Sequence, residues 1–177
     1  LVSELIALSN LSDQKILVCA QSNVGTANMF DRAMKRGVKG SLIMAKAKVP
    51  REVIVPPSST DPSARIVFCT VASRNFYKLR HEQFEYILLD EAAQIVEAHL
   101  WGLLRPEVHT IYMAGDPDQL PALVSKEGQP LNHGRSMMER LMSIGYPTDL
   151  LNVQRRMHPD IVAFPNKEFY GNKLETQ

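Results

Sequence analysis

The chain has 177 residues, of which 45% are hydrophobic, and its formal net charge is +1. This length and composition suit a globular domain with a sizeable core and exclude a disordered chain. The net charge gives no indication of a nucleic-acid or membrane partner, so any such partner must be inferred from motifs. No apolar stretch is long enough to span a membrane. Cys19 and Cys69 lie in apolar runs without metal-ligand spacing, which is typical of reduced core cysteines in a cytoplasmic or nuclear protein.

The first third of the chain predicts a helix, a strand and a second helix. Apolar residues in 1–8 recur at helical spacing, and the chain starts with Leu1, so we expect it to be part of a longer protein. The apolar run 16–20 predicts a buried strand. A helix is predicted over about 26–35, and Gly37 closes it.

The rest of the chain alternates predicted strands and helices. A turn-rich connection over 56–63 precedes the central strands, and a long loop reaches about residue 134. Further strands are predicted at 42–45, 53–55, 66–69, 87–90, 111–114 and 150–153, and helices at 96–104 and 136–144. Strands that alternate with helices and end in polar residues predict an α/β fold with a doubly wound, mainly parallel sheet.

One apolar run, Ile87 to Leu89, ends in two adjacent carboxylates, Asp90 and Glu91. Ligands of open α/β sheets bind outside the carboxyl ends of the strands, which is where this pair is expected to lie. In a nucleoside triphosphatase the first acid can hold Mg²⁺ through water, and the second can orient and deprotonate the attacking water. The pair alone leaves open that Asp90 only caps the following helix.

Three other predicted strands also end in small polar residues. The segments are 21–23, 70–73 and 115–119, and with Asp90-Glu91 they are expected to meet at one edge of the sheet. Two acids among several hydrogen-bonding side chains indicate a rim that handles phosphate or nucleic acid. Gly115 permits a sharp turn, and the Gln119 amide can donate to a phosphate oxygen and accept from water.

Three segments resemble motifs II, III and IV of superfamily 1 helicases: Asp90–Gln94, Gly115–Pro121 and Gln154–Pro159. The nearest group contains the nonsense-mediated-decay RNA helicase, senataxin and the nidovirus helicases. Cys19–Asn23 is similar to motif Ia, and Thr70–Ser73 occupies the place of the next nucleic-acid-contacting motif. The resemblance implies a RecA-like P-loop NTPase core, with a DEAD-like motif II, most of the first RecA-like domain in 1–150 and the start of the second in 151–177.

The resemblance also implies a role for each residue of the nucleotide site, with ATP and Mg²⁺ as cofactors. Asp90 is expected to hold Mg²⁺ through water, and Glu91 to be the general base. Gln119 is expected to sense the γ-phosphate, while Asp116 sets the motif III loop and contributes to nucleotide binding. Arg156 is expected to be the arginine finger. By general experience such a base contributes about 10²- to 10⁴-fold in rate and such a finger about 10³- to 10⁵-fold.

The same resemblance implies a single-stranded nucleic-acid partner, RNA or DNA. Ser22, Asn23, Thr70 and Ser73 are expected to contact the phosphodiester backbone without reading sequence. The implied activity is an ATP-dependent helicase that moves 5′ to 3′. It also requires the remainder of the second RecA-like domain in the same polypeptide.

Three positions depart from the pattern of this group. Gln21 stands where proline is usual, and Asn28 where aspartate is common, which puts nucleic-acid contacts there in doubt. Arg155 replaces the tyrosine that usually precedes the finger arginine. Register favours Arg156 as the residue that reaches the phosphate, but the pattern leaves Arg155 open.

No Gly-x-x-x-x-Gly-Lys-[Ser/Thr] phosphate loop, the Walker A motif, occurs in the 177 residues. Residues 1–8 resemble the helix that would follow such a loop. We therefore expect the isolated chain to be inactive as an ATPase. The alternative function is a catalytically inactive, helicase-like module that binds RNA or serves as a scaffold.

Overall fold

The structure is a computed structural model that describes residues 1–11, 13–45, 48–75 and 78–177. They form two compact units, Leu1–Arg140 and Leu141–Gln177. The predicted boundary of the RecA-like domains after residue 150 stays a prediction. No helix in the described ranges is both long and apolar enough to cross a membrane.

A five-stranded sheet forms the centre of the first unit, and all four of its strand pairs are parallel. Its spatial order is β2-β3-β1-β4-β5. The strands are β1 (Ile16–Ala20), β2 (Ser41–Leu42), β3 (Ile66–Thr70), β4 (Tyr86–Asp90) and β5 (Thr110–Met113). The predicted parallel α/β architecture is confirmed, because long apolar runs such as 16–20 are buried along their whole length.

Two helices pack on one face of this sheet. They are α1 (Val2–Leu11) and α2 (Asn23–Lys35), and they share a core with Val18, Phe68 and Leu88. The rings of Phe30 and Phe68 meet edge to face, with centroids 5.5 Å apart. Residues of the opposite face, such as Leu17 and Cys19, are equally inaccessible, so both faces of the sheet are covered.

Several predicted elements are shorter in the structure. Residues 53–55 form no strand: Val53 is buried, but the Ile54 side chain is 84% exposed. The strand predicted over 42–45 is reduced to β2. The helices predicted over 96–104 and 136–144 are α3 (Glu97–Leu100) and α4 (Met137–Ser143). Apolar, β-branched residues favour strands only where a neighbouring strand accepts their backbone bonds.

The second unit contains a short helix and a two-stranded parallel sheet. Strand β6 (Val153–Gln154) pairs with β7 (Glu175–Thr176), and α5 (Pro159–Phe169) lies between them in sequence. His158 is the N-cap of α5, because its Nδ1 accepts a hydrogen bond from the Asp160 N–H at 3.3 Å. Pro159 occupies the first helical position, where no backbone donor is needed.

Candidate functional site

The carboxyl ends of the central strands lie side by side in the first unit. Ala20, the last residue of β1, is in register with Thr70 of β3 and with Asp90 of β4. Strand β5 ends one step earlier, with Met113 opposite Leu89, and continues into Gly115. The structure therefore brings the four polar strand ends to one edge of the sheet.

Asp90 and Glu91 differ in their surroundings although they are adjacent. Asp90 ends the strand and is partly buried, whereas Glu91 is exposed. The helix-capping alternative for Asp90 is wrong: Glu91 occupies the N-cap position of the 3₁₀ turn Ala92–Gln94, and its side chain makes no capping bond. Asp90 is therefore not used as a local cap.

The backbone of Glu91 is in the left-handed region, with φ of 52° and ψ of 43°. This conformation costs a residue with a Cβ about 1–2 kcal/mol. Two bonds hold the turn: the Ala92 N–H donates to the Ala114 carbonyl at 2.8 Å, and the Gln94 N–H donates to the Glu91 carbonyl at 2.9 Å. The Glu91 carboxylate is thereby kept at the solvent-facing edge, where the Gln94 amide donates to it at 3.5 Å.

Gly115 packs directly against this turn. A Cβ at position 115 would lie 2.8 Å from the Ala93 nitrogen, 2.9 Å from the Ala92 nitrogen and 3.2 Å from the Met138 sulfur. Backbone nitrogens cannot swing aside as a flexible side chain can, so only glycine fits here. The predicted motif III loop is therefore in van der Waals contact with the turn that carries Glu91.

Asp116 organises the loop that follows. One of its carboxylate oxygens accepts from the Asp118 N–H at 3.0 Å, and the other accepts from the Gln119 side-chain amide at 2.8 Å. The Gln119 N–H also donates to the Asp116 carbonyl at 3.2 Å. The Gln119 side chain is thus held on the rim, with its amide oxygen and second amide hydrogen available for further bonds.

Thr70 and Ser73 are buried and bonded to each other. Their hydroxyl oxygens are 2.7 Å apart, and the Ser73 N–H donates to the Thr70 hydroxyl at 3.2 Å. The two side chains close the turn after β3. Their predicted contact with a phosphodiester backbone stays a prediction, since this geometry shows them bonding within the protein.

Ser22 caps α2, because its hydroxyl accepts from the Gly25 N–H at 2.9 Å. This cap explains why the helix begins at Asn23, three residues before the predicted start. Ser22 is exposed and Asn23 is partly buried. Both lie next to the end of β1, and their predicted role in nucleic-acid binding also stays a prediction.

Arg74 is a buried residue that the sequence reasoning missed. Only 2% of it is exposed; its guanidinium donates to the Leu79 carbonyl and to the Glu82 carbonyl at 2.7 Å, and lies 5.1 Å from the Phe84 ring centroid. Burial lowers the pKa of this guanidinium. Arg74 therefore fixes the turn next to Ser73, and nothing in its local sequence pattern indicates this.

In the second unit, Gln154 organises the turn that carries the two adjacent arginines. Its side-chain oxygen accepts from the Arg156 N–H at 3.0 Å and the Met157 N–H at 2.8 Å, and its amide donates to the Met157 carbonyl at 2.8 Å. Arg155 donates twice to the Gln177 side-chain oxygen, at 3.1 Å and 2.5 Å. Arg156 is exposed, and its guanidinium has no partner among the described residues.

The donor set at the rim fits Mg²⁺ in the way nucleotide enzymes hold it. No three His, Cys, Asp or Glu side chains in the described ranges converge on a metal position. Mg²⁺ in such enzymes is bound by one or two carboxylates together with water and phosphate oxygens. The partly buried Asp90 carboxylate at the end of β4 can serve as that protein ligand.

Comparison with known families finds two matches, each described as an AAA domain. One covers residues 58–127 and the other covers residues 133–177. Together they include the segments that resemble motifs II, III and IV.

The relatives found by sequence comparison carry helicase or nonsense-transcript names. The chain is 41% identical to "Probable helicase MAGATAMA 3" of Arabidopsis thaliana over 63% of the chain and 14% of that protein. It is 37% identical to "Helicase sen1" of Schizosaccharomyces pombe over 63% of the chain and 7% of that protein. It is 25% identical to "Regulator of nonsense transcripts 1 homolog" of Neurospora crassa over 95% of the chain and 20% of that protein. The chain therefore spans a fifth or less of these relatives.

Among solved structures, the chain resembles that of the PRRSV helicase. The TM-score is 0.59 at 15% sequence identity, and the match covers 99% of the chain and 33% of that structure. At this identity the likeness concerns the fold alone. It confirms the predicted RecA-like α/β core.

Proposed function

Because the chain belongs to the superfamily 1 helicases of the group that contains the nonsense-mediated-decay RNA helicase and senataxin, we propose that it forms the nucleotide-hydrolysing core of an ATP-dependent helicase. The motor would translocate 5′ to 3′ along single-stranded RNA or DNA as part of a longer polypeptide. We place it in the cytoplasm or nucleus, where buried thiols such as Cys19 and Cys69 stay reduced.

One observation carries the proposal: the turn that presents Glu91 is packed against the loop that presents Gln119. Gly115 makes this contact at distances that leave no room for a Cβ. A base and a phosphate sensor need a fixed mutual geometry, because misplacement of about 1 Å can cost about 100-fold in rate. The strained backbone of Glu91 also supports a functional role, since such strain concentrates at active sites.

The two acids have distinct proposed tasks. Asp90 binds the Mg²⁺ that accompanies ATP, through water, and bound Mg²⁺ supplies charge neutralisation to the phosphates. Glu91, exposed at the rim, orients a water molecule for in-line attack on the γ-phosphate and takes its proton. Gln119 donates its remaining amide hydrogen to a γ-phosphate oxygen, while Asp116 holds it in place.

Arg156 is the proposed arginine finger, in preference to Arg155. The Arg155 guanidinium is engaged by Gln177, whereas the Arg156 guanidinium has no partner in the part of the chain that the structure describes. Gln154 fixes the backbone of Arg156 at 3.0 Å. A finger needs a held backbone and an unengaged guanidinium, because the arginine must stabilise charge that develops only in the transition state.

The proposed nucleic-acid contacts follow β1 and β3. Ser22 and Asn23 are accessible at the rim and can bond to phosphate oxygens directly. Thr70 and Ser73 are bonded to each other through one hydroxyl hydrogen, so the hydroxyl that accepts this bond can donate its own hydrogen to a phosphate oxygen. Binding of this kind is independent of sequence.

The test is duplex unwinding by the longest natural polypeptide that contains these residues. Duplexes with either a 5′ or a 3′ single-stranded tail, in RNA and in DNA, are offered with ATP and Mg²⁺. We expect unwinding only from the 5′ tail, its loss in Arg156→Ala, and its retention in Arg155→Gln. An equal loss in both arginine variants would refute the assignment of the finger. Strand binding without ATP turnover or unwinding would favour the inactive scaffold.

A further inference from the structure

A cavity of about 910 Å³ lies at the opposite edge of the first unit from the strand ends described above. It is lined by the last turns of α1 and α2, the loop from Gly37 to Gly40, the first residues of β2 and β3, and the segment around Ser58. Ile66 begins β3 and Thr70 ends it, so the cavity and the rim are separated by four residue steps, about 13 Å. The cavity is therefore a separate site, and it is of the size that small ligands occupy.

The charged residues that line the cavity are all cationic. They are Arg36, Lys39 and Arg65, and no Asp or Glu among the described residues lines it. Arg65 donates to the Ser9 carbonyl at 3.1 Å. The side chains of Arg36 and Lys39 have no hydrogen-bonding or ionic partner in the described ranges.

The ends of the two helices weaken this positive field without cancelling it. α1 and α2 both direct their carboxyl ends toward the cavity, and each contributes about half a negative charge. Two helix ends therefore offset about one of the three cations. Arg36 and Lys39, the two lining cations without a side-chain partner in the described ranges, therefore leave a net positive field that favours an anionic group.

Two buried hydroxyls provide a second, independent observation. Ser41 is 1% exposed and Ser59 is 6% exposed, and both line the cavity. Neither hydroxyl has a hydrogen-bond partner in the described part of the chain, and no side-chain oxygen there is both fully enclosed and unpartnered, so the two hydroxyl oxygens remain accessible. Accessible hydroxyls that border a cationic cavity can donate to the acceptor oxygens of a ligand.

Apart from Ser9, Asn10 and Ser58, the rest of the wall is apolar. Met34 and Val38 line one part of the cavity, and Ile66 and Pro56 line another. A bare inorganic anion would leave these side chains against water. A ligand that combines an anionic head with an apolar body would use both parts of the wall.

We propose that this cavity binds a small organic phosphate, with the phosphate on Arg36, Lys39, Ser41 and Ser59 and an apolar body against Met34 and Val38. The inference does not rest on the proposed helicase function, because it uses none of the residues at the strand ends.

The test uses phenyl phosphate, which carries a dianionic head on an apolar ring. Binding to the longest natural polypeptide that contains the chain is measured by isothermal titration calorimetry, with inorganic phosphate and phenol as comparison ligands. We expect millimolar or tighter binding of phenyl phosphate and at least about tenfold weaker binding of either comparison ligand, because each lacks half of the contacts.

Charge reversal locates the site. Arg36→Glu with Lys39→Glu should weaken phenyl phosphate binding by about tenfold or more. The matched control, Arg32→Glu with Arg51→Glu, makes the same change in net charge on exposed residues outside the cavity and should leave binding unchanged. Equal weakening in both double variants would overturn the proposal, because it would show general charge attraction.

Two further variants keep the test decisive. Ser41→Ala removes a hydroxyl that has no protein partner, so the variant should fold normally and bind phenyl phosphate about fivefold more weakly. Glu91→Gln should bind phenyl phosphate as well as the wild type does, whatever its effect on ATP hydrolysis. Unchanged affinity in Ser41→Ala, or binding that vanishes in Glu91→Gln, would overturn the assignment to this cavity.

Discussion

Gly115→Ala is the substitution for which the structure gives the clearest magnitude. The new methyl group would lie 2.8 Å and 2.9 Å from the backbone nitrogens of Ala93 and Ala92, whereas ordinary contacts begin at 3.4 Å. One of the two chain segments must therefore move by about half an ångström. Overpacking of this kind in a well-packed interior costs about 1–3 kcal/mol.

The displacement falls on a turn that is already strained. The Ala92 N–H donates to the Ala114 carbonyl at 2.8 Å, beside the new methyl group, so separation of the segments weakens this bond as well. Glu91 precedes Ala92 and has a left-handed backbone. We therefore expect both a loss of stability and a displaced Glu91 carboxylate.

The assay is urea unfolding of the wild type, Gly115→Ala and a control, Gly128→Ala. A Cβ at position 128 would have its nearest neighbour at 3.4 Å, an ordinary contact, so that variant should stay within about 0.5 kcal/mol of the wild type. The free energy of unfolding of Gly115→Ala should be lower by about 1–3 kcal/mol. Each kcal/mol corresponds to a decrease of about 2–4 °C in melting temperature. Equal stability of the two variants would refute the close approach of the two turns.

Three further predictions concern local bonds. Ser73→Ala should cost about 1 kcal/mol because the buried Thr70 hydroxyl loses one of its two partners and keeps only the Ser73 N–H, and the losses of Ser73→Ala and Thr70→Val should be less than additive in the double variant; additive losses would contradict the pairing. Ser22→Ala should cost about 1 kcal/mol in urea unfolding through loss of the α2 cap, and no change would contradict the capping role. The hydrogen bond with Cys69, together with burial, raises the pKa of the Cys19 thiol well above its ordinary value. The protonated thiol therefore contributes stability that is fully present below about pH 9 and is lost as the pH rises through the raised pKa. Between pH 8 and pH 10.5 the free energy of unfolding of the wild type should fall by up to about 1.4 kcal/mol per pH unit, and Cys19→Ala should lack this decrease. An equal alkaline decrease in both proteins would contradict the role of the Cys19 thiol.

The main strands could be predicted because the local composition alone indicates that they are buried. Residues 16–20 and 66–69 are continuous apolar runs, which only a strand covered on both faces accommodates at that length. Their polar ends, and the meeting of those ends at one edge, follow from parallel pairing. The failure at Val53 to Val55 has the opposite cause: the composition favours a strand, but Ile54 is exposed and no neighbouring strand pairs with it.

The details of the site depend on contacts between residues distant in sequence. Motif spacing identifies Gly115 as a turn residue but does not reveal its contact with Ala92 and Ala93. The burial of Arg74 depends on carbonyls of a loop whose path is set by tertiary packing. Likewise, the preference for Arg156 over Arg155 as the arginine finger depends on the contact between Arg155 and Gln177, which lie 22 residues apart in sequence.

The central claim is that Glu91 drives ATP hydrolysis in a motor stimulated by single-stranded nucleic acid. Its most direct test is ATP turnover by the longest natural polypeptide that contains this chain, with and without single-stranded RNA and DNA. Wild type is compared with Glu91→Gln and with Glu52→Gln, which neutralises an exposed carboxylate remote in sequence from the motifs. We predict strand-stimulated turnover in the wild type and Glu52→Gln, and a loss of about 100-fold or more in Glu91→Gln. Normal strand-stimulated turnover in Glu91→Gln would contradict the account.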